Sequence, residues 1–149
     1  MINQANNNGI DGQNKKLSKA FAKLQKLVEA LNKKDIPAEI GEVINQEIAS
    51  IDSFTGTDRE RAKKMNKAHS LILQLVKKKL GFVPKGHYTG VWIAIGLSAM
   101  GVPFGLIWMT VTGNPGFFAV GIGMGLPIGL AIGASMDKKA EKEGKQLSL

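Results

Sequence analysis

The chain contains no cysteine among its 149 residues, which excludes a disulfide framework, zinc–thiolate sites and catalytic thiols. Aromatic residues make up only 6% of it, and there are just two histidines, His69 and His87. The most informative shortage is of charge. The chain holds 20 Lys and Arg against 12 Asp and Glu, a formal net charge of +8. All of these lie in residues 1–85 and 137–149, and residues 86–136 contain none. Such segregation excludes one uniform soluble globule, whatever the average composition suggests.

The uncharged block divides into two apolar stretches, Tyr88–Val111 and Phe117–Met136. As helices they would measure about 36 Å and about 30 Å at a rise of ~1.5 Å per residue. A bilayer's hydrocarbon layer is about 30 Å thick, so each can cross it once. Between them, Thr112-Gly113-Asn114-Pro115-Gly116 is a compact turn signal, and two crossings so joined must run antiparallel. The competing reading is a buried helical hairpin in a soluble protein. It fails on supply, because the remaining amphipathic residues are too few to wrap two such helices.

The flanks set an orientation. Lys77, Lys78, Lys79 and Lys85 precede the first crossing, and Lys138 and Lys139 follow the second, while the turn is uncharged. The positive-inside rule then places both ends in the cytoplasm, with the lysines against anionic lipid headgroups. Tyr88 and Trp92 are expected at the cytoplasmic interface, and Trp108, Phe117 and Phe118 at the outer one.

Glycine is abundant where hydrophobicity alone would prefer Leu or Val. Gly121, Gly125, Gly129 and Gly133 recur every fourth residue, a side-chain-free stripe that favours close helix packing. The first crossing has a looser small-residue stripe: Gly90, Ala94 and Ser98, then Gly101 and Gly105. The spacing predicts contact within the hairpin and then between copies. Both crossings also carry a Gly-x-Pro-x-Gly motif, centred on Pro103 and Pro127. Each proline lacks an amide donor and so frees carbonyls near Ala99 and Gly123, and matched kinks that let the helices nest are the expectation. With no charged residue in the block, an ion relay is disfavoured.

Residues 1–13, rich in Asn, Gln and Gly, are expected to be a disordered tail. Residues 14–81 read as three amphipathic helices. The first buries Leu17, Ala20, Phe21, Leu24, Leu27, Val28 and Leu31 and turns a lysine-rich face outward. The second begins at Pro37 and buries Ile40, Val43, Ile44, Ile48 and Ile51. Thr57-Asp58-Arg59-Glu60 is a capping-box signature for the third, which presents Met65, Ala68, Ile72, Leu75, Val76 and Leu80 and stops at Gly81. Residues 82–87 form a juxtamembrane linker, 88–136 the transmembrane hairpin and 137–149 a cytoplasmic tail. The fold class is thus all-α, a three-helix cytoplasmic region followed by a two-helix hairpin.

Neither histidine has a Ser, Cys or carboxylate constellation around it in sequence, no metal-ligand spacing is distinctive, and no cofactor is implied. Gly121-Ile122-Gly123-Met124-Gly125 lacks the Lys-Ser/Thr and preceding strand of a phosphate-binding loop. The basic residues lack interleaved aromatics, so nucleic acid is disfavoured as a partner.

The run from Gly121 to Gly133, with Ser135-Met136-Asp137-Lys138-Lys139-Ala140 and Glu143-Gly144-Lys145-Gln146-Leu147 after it, resembles small bacterial membrane proteins with a glycine-zipper two-span hairpin. The resemblance covers the C-terminal third and implies a bacterial inner-membrane setting. The expectation is a non-enzymatic, membrane-anchored interaction or scaffold protein, self-associating through glycines, with its partners being lipid, further copies and a protein held by the cytoplasmic helices. The alternatives are an oligomeric pore-forming or membrane-disrupting effector and an accessory subunit of a membrane complex.

Overall fold

Asn14 opens the first helix. Its side-chain oxygen accepts from the amides of Lys16 and Leu17, at 3.2 and 3.4 Å, satisfying donors that a helix start leaves unpaired. A computed structural model describes residues 1–5 and 14–149, and in it α1 runs Lys15–Asn32. Its buried side chains are Leu17, Ala20, Leu24, Leu27, Val28, Ala30 and Leu31, the predicted stripe with Ala30 added and Phe21 half-buried.

Helix α2, Ala38–Asp52, starts directly after Pro37, and it buries Ile44, Ile48 and Ile51. Val43 is exposed and Ile40 half-buried, so the apolar face is narrower than the sequence spacing predicts. Helix α3, Asp58–Leu80, buries Ala62, Met65, Ala68, Ile72 and Val76. At its start the Glu60 carboxylate accepts from the Thr57 backbone amide at 3.0 Å and from the Thr57 hydroxyl at 2.7 Å. These bonds hold the Glu60 carboxyl below the ordinary range. Gly81, with φ +72°, ends the helix in a left-handed cap.

The three helices share one apolar core. Residues 1–5 join it, contrary to the disorder expected of the tail: Ile2 and Ala5 are buried. Asn32 donates to the Ile2 carbonyl at 3.0 Å and accepts from the Ile2 amide at 2.9 Å. Asn45 accepts from the Asn3 amide at 2.7 Å. Side-chain amides thus substitute for a neighbouring strand, a pairing that composition does not reveal. Residues 6–13, the rest of the expected tail, lie outside the described residues.

Two units divide the chain: residues 1–83 with 147–149, and residues 84–146. The passages between them are two short strands, β1 (Val83–Pro84) and β2 (Gln146–Leu147), which pair. The second unit is a helical hairpin. Its first arm, His87–Thr112, comprises α4 (His87–Ile95), a wide π turn (Gly96–Gly101) and α5 (Val102–Thr112). Its second arm is α6, Gly116–Lys142. Gly113, at φ +70°, closes α5, and the Asn114 side chain accepts from the Gly116 amide at 2.9 Å to start α6. The second arm runs past Met136, because nothing between Asp137 and Lys142 breaks a helix and Gly144 is the first left-handed residue. Of the residues expected as a cytoplasmic tail, 137–142 thus extend α6, and Leu147 is fully buried.

His69, half-buried on α3, is held below the ordinary histidine value by burial, with a smaller contribution from the charge of Lys23. It stays neutral in the folded chain while an unfolded chain takes up a proton near pH 6.5. That contribution to stability is therefore complete above about pH 6.5 and is lost as the pH falls toward the lower folded-state value. Denaturant titrations of the full chain, followed by amide exchange of α1–α3 at a series of pH values, should show this acid slope, and His69→Gln should flatten it.

Candidate functional site

The site is the seam between the two arms. Gly121, Gly125, Gly129 and Gly133 are all buried, as predicted for one face of α6. They lie against the backbone of the first arm, with no side chain between. A Cβ added to Gly125 would stand 2.7 Å from the Gly101 nitrogen, and one on Gly133 would stand 2.8 Å from the Tyr88 carbonyl oxygen. On Gly129 it would meet the Trp92 carbonyl carbon at 2.8 Å, and on Gly121 the Gly105 Cα at 2.5 Å. Ordinary carbon contacts need about 3.5–4.0 Å, so each position admits hydrogen alone.

The opposing face keeps Gly101 and Gly105 of the stripe that the sequence suggests and departs from the rest of it. Gly90, Ala94 and Ser98 are exposed, and the residues that meet α6 are Thr89, Trp92, Gly96, Gly101 and Gly105. Gly96 and Gly101 are five apart, which in an α-helix would turn them about 140° away from each other at ~100° per residue. The π turn removes that offset. Its wider coil, in which the Val102 amide reaches the Leu97 carbonyl, brings Gly96 and Gly101 onto the face that Gly105 continues. Pro103 supplies a reason for the turn, since it lacks the amide that would have bonded Ala99. Pro127, by contrast, lies within a helix that continues on both sides. The two prolines are thus placed in unlike surroundings, a π turn beside one and uninterrupted α-helix around the other.

A buried carboxylate closes the open end of the hairpin. Asp137, on α6, accepts from the Tyr88 amide at 3.1 Å, the Thr89 amide at 2.9 Å and the Thr89 hydroxyl at 2.6 Å. Gly86 precedes α4 and has no side chain to cap it. The cap therefore comes from the other arm, and its charge sits at the positive end of the helix dipole. Sequence reasoning passes over Asp137 as merely the first charge after an apolar run; the signal available is a helix start with glycine at the capping position. Nearby, the Trp92 indole donates to the Met136 sulfur at 2.8 Å, and the Gln146 side chain donates to the Asp137 carbonyl at 3.3 Å.

The other expected residues fall as follows. Trp108 and Phe117 stack at 6.0 Å near the turn. Phe118 covers Gly105, where an added Cβ would meet its ring at 3.0 Å, so it fills the seam as well as standing near the turn. Tyr88 packs edge-on against His87. Lys85, Lys138 and Lys139 are exposed at the Asp137 end of the hairpin, and Lys77, Lys78 and Lys79 are exposed on the last turn of α3.

The remaining hairpin surface is apolar. Large side chains point outward, with Ile107 57% exposed, Met124 60% and Val111 78%. In each arm the most apolar stretch is only 17% or 22% buried, whereas the core helix of a soluble protein would be mostly buried. No protein-family model, curated protein or solved structure matches the chain.

The glycine contacts rank the outcome of substitutions. Gly129→Ala should destabilise the hairpin by about 1–3 kcal/mol, the usual cost of forcing atoms into a filled site. Gly101→Ala, where the nearest atoms stand at 3.4 Å, should cost less, and Gly123→Ala, where nothing lies within 4 Å, should cost nothing. Thermal unfolding in mild detergent measures the series. Asp137→Ala should cost about 1–2 kcal/mol, as for a lost helix cap, and should speed amide exchange at Tyr88 and Thr89.

Proposed function

We propose that this chain is a non-enzymatic, membrane-anchored interaction protein of the bacterial inner membrane, with both termini in the cytoplasm. The observation that carries the reading is the inverted packing of the hairpin: glycines inside, large apolar side chains outside. Water penalises such a surface, while lipid accepts it. A glycine-zipper hairpin would act as the anchor and α1–α3 as the domain it holds at the cytoplasmic leaflet. The lysines at the open end of the hairpin and the uncharged turn at the other support that orientation under the positive-inside rule.

Self-association is part of the proposal, with a change in the surface that serves it. The glycines are engaged within one hairpin, so copies would meet through outward residues. Met100, Phe104, Met124 and Ile128 border a shallow apolar groove of about 190 Å³ suited to that role.

The absence of cysteine gives clean tests. Asn114→Cys should react with a membrane-impermeant maleimide on intact cells, and Ser148→Cys only after the membrane is opened; the reverse pattern would defeat the orientation. Met124→Cys should form disulfide-linked dimers on mild oxidation in membranes, and a product that stays monomeric would remove self-association.

A further inference from the structure

Between α1 and α3 lies a groove of about 700 Å³ whose described rim carries five cations and two side-chain amides, Asn14 and Asn66. Lys16, Lys19 and Lys23 stand at i, i+3 and i+7 on α1, and Arg59 and Lys63 at i, i+4 on α3, so each set shares one face. The floor is formed by Ala20 and Ala62, both buried, whose small side chains leave the space open. Among the described residues, no carboxylate lines it. Of the two acids at the start of α3, Asp58 accepts at 3.2 Å from the side chain of Asn14, which lines the groove, and Glu60 accepts from Thr57 and lies within the field of Lys63. None of the five cations lies in an ion pair with a described residue.

Like charges three or four residues apart on a helix repel and cost stability. Here two such sets face one hollow, and the charge of Lys23 adds to the depression of the His69 pKa, a sign that its field reaches into the protein. A hollow of this size matches small-ligand sites, which run about 300–1,000 Å³. Lysine offers phosphate a compact charge, and arginine offers it a two-pronged donor.

We infer that the α1–α3 groove binds a small ligand carrying two or more phosphoryl groups. Two sources share that chemistry, a free polyphosphate compound and a lipid headgroup that bears two phosphates. The inference concerns the helical unit alone and holds whether or not the hairpin lies in lipid.

The test uses the full chain in nonionic detergent, titrated calorimetrically with inorganic tripolyphosphate. Wild type should bind, and the double variant Lys19→Gln/Lys63→Gln should bind about tenfold more weakly or worse. The double variant Lys26→Gln/Lys33→Gln, which removes equal charge outside the groove, should match wild type. All five rim cations are solvent-facing, so circular dichroism should show unchanged helix content. Repeating the titration in micelles doped with cardiolipin separates the sources: competition identifies the headgroup, and unchanged binding identifies a free ligand. Equal weakening in both double variants would reduce the effect to net charge and overturn the inference. So would a failure of wild type to bind, or a mixed-sequence oligonucleotide that binds more tightly than tripolyphosphate through the same residues.

Discussion

Two backbones in direct contact constrain everything else in the hairpin. At Gly121, Gly125, Gly129 and Gly133 there is room only for hydrogen, which fixes how far apart the arms lie and which faces meet. The register then has to hold over the full length of both arms. An ordinary α-helix could not keep Gly96, Gly101 and Gly105 on one face, and the π turn beside Pro103 corrects the phase. Asp137 locks the same register at the open end by capping the opposite helix. Seam, π turn and cap are three parts of one alignment.

The two units solve the packing problem in opposite senses. In α1–α3 large aliphatic side chains are buried and lysines and glutamates face outward, the arrangement that water enforces. Along the uncharged part of the hairpin the buried residues are glycines and the exposed ones include Ile, Leu, Val, Met and Phe. In an apolar solvent nothing would drive such side chains inward, and the arms would gain by close van der Waals approach instead. The helical period is the same in both units, and only the residues on the inner face are exchanged.

Much of this is legible in the sequence. The α1 stripe from Leu17 to Leu31 follows the helical period and is buried as the spacing predicts. The glycine face of α6 is legible for the same reason. The partner face is not, because counting in fours from Gly90 assumes a uniform helix and leads to Ala94 and Ser98, which are exposed. A single wide turn invalidates the count. Ile2 and Asp137 escape notice for another reason: each is placed by partners far along the chain, Asn32 for the one, Tyr88 and Thr89 for the other. Local pattern carries no trace of such pairings.

Leu147 belongs to the apolar core formed by α1–α3 although it follows the hairpin in sequence. On the ribosome, those three helices emerge before the hairpin, yet their core lacks a side chain until both apolar arms have been made. Completion of the unit that holds α1–α3 is thereby coupled in time to the hairpin's synthesis, and a product cut short before Leu147 would leave an apolar gap in that core.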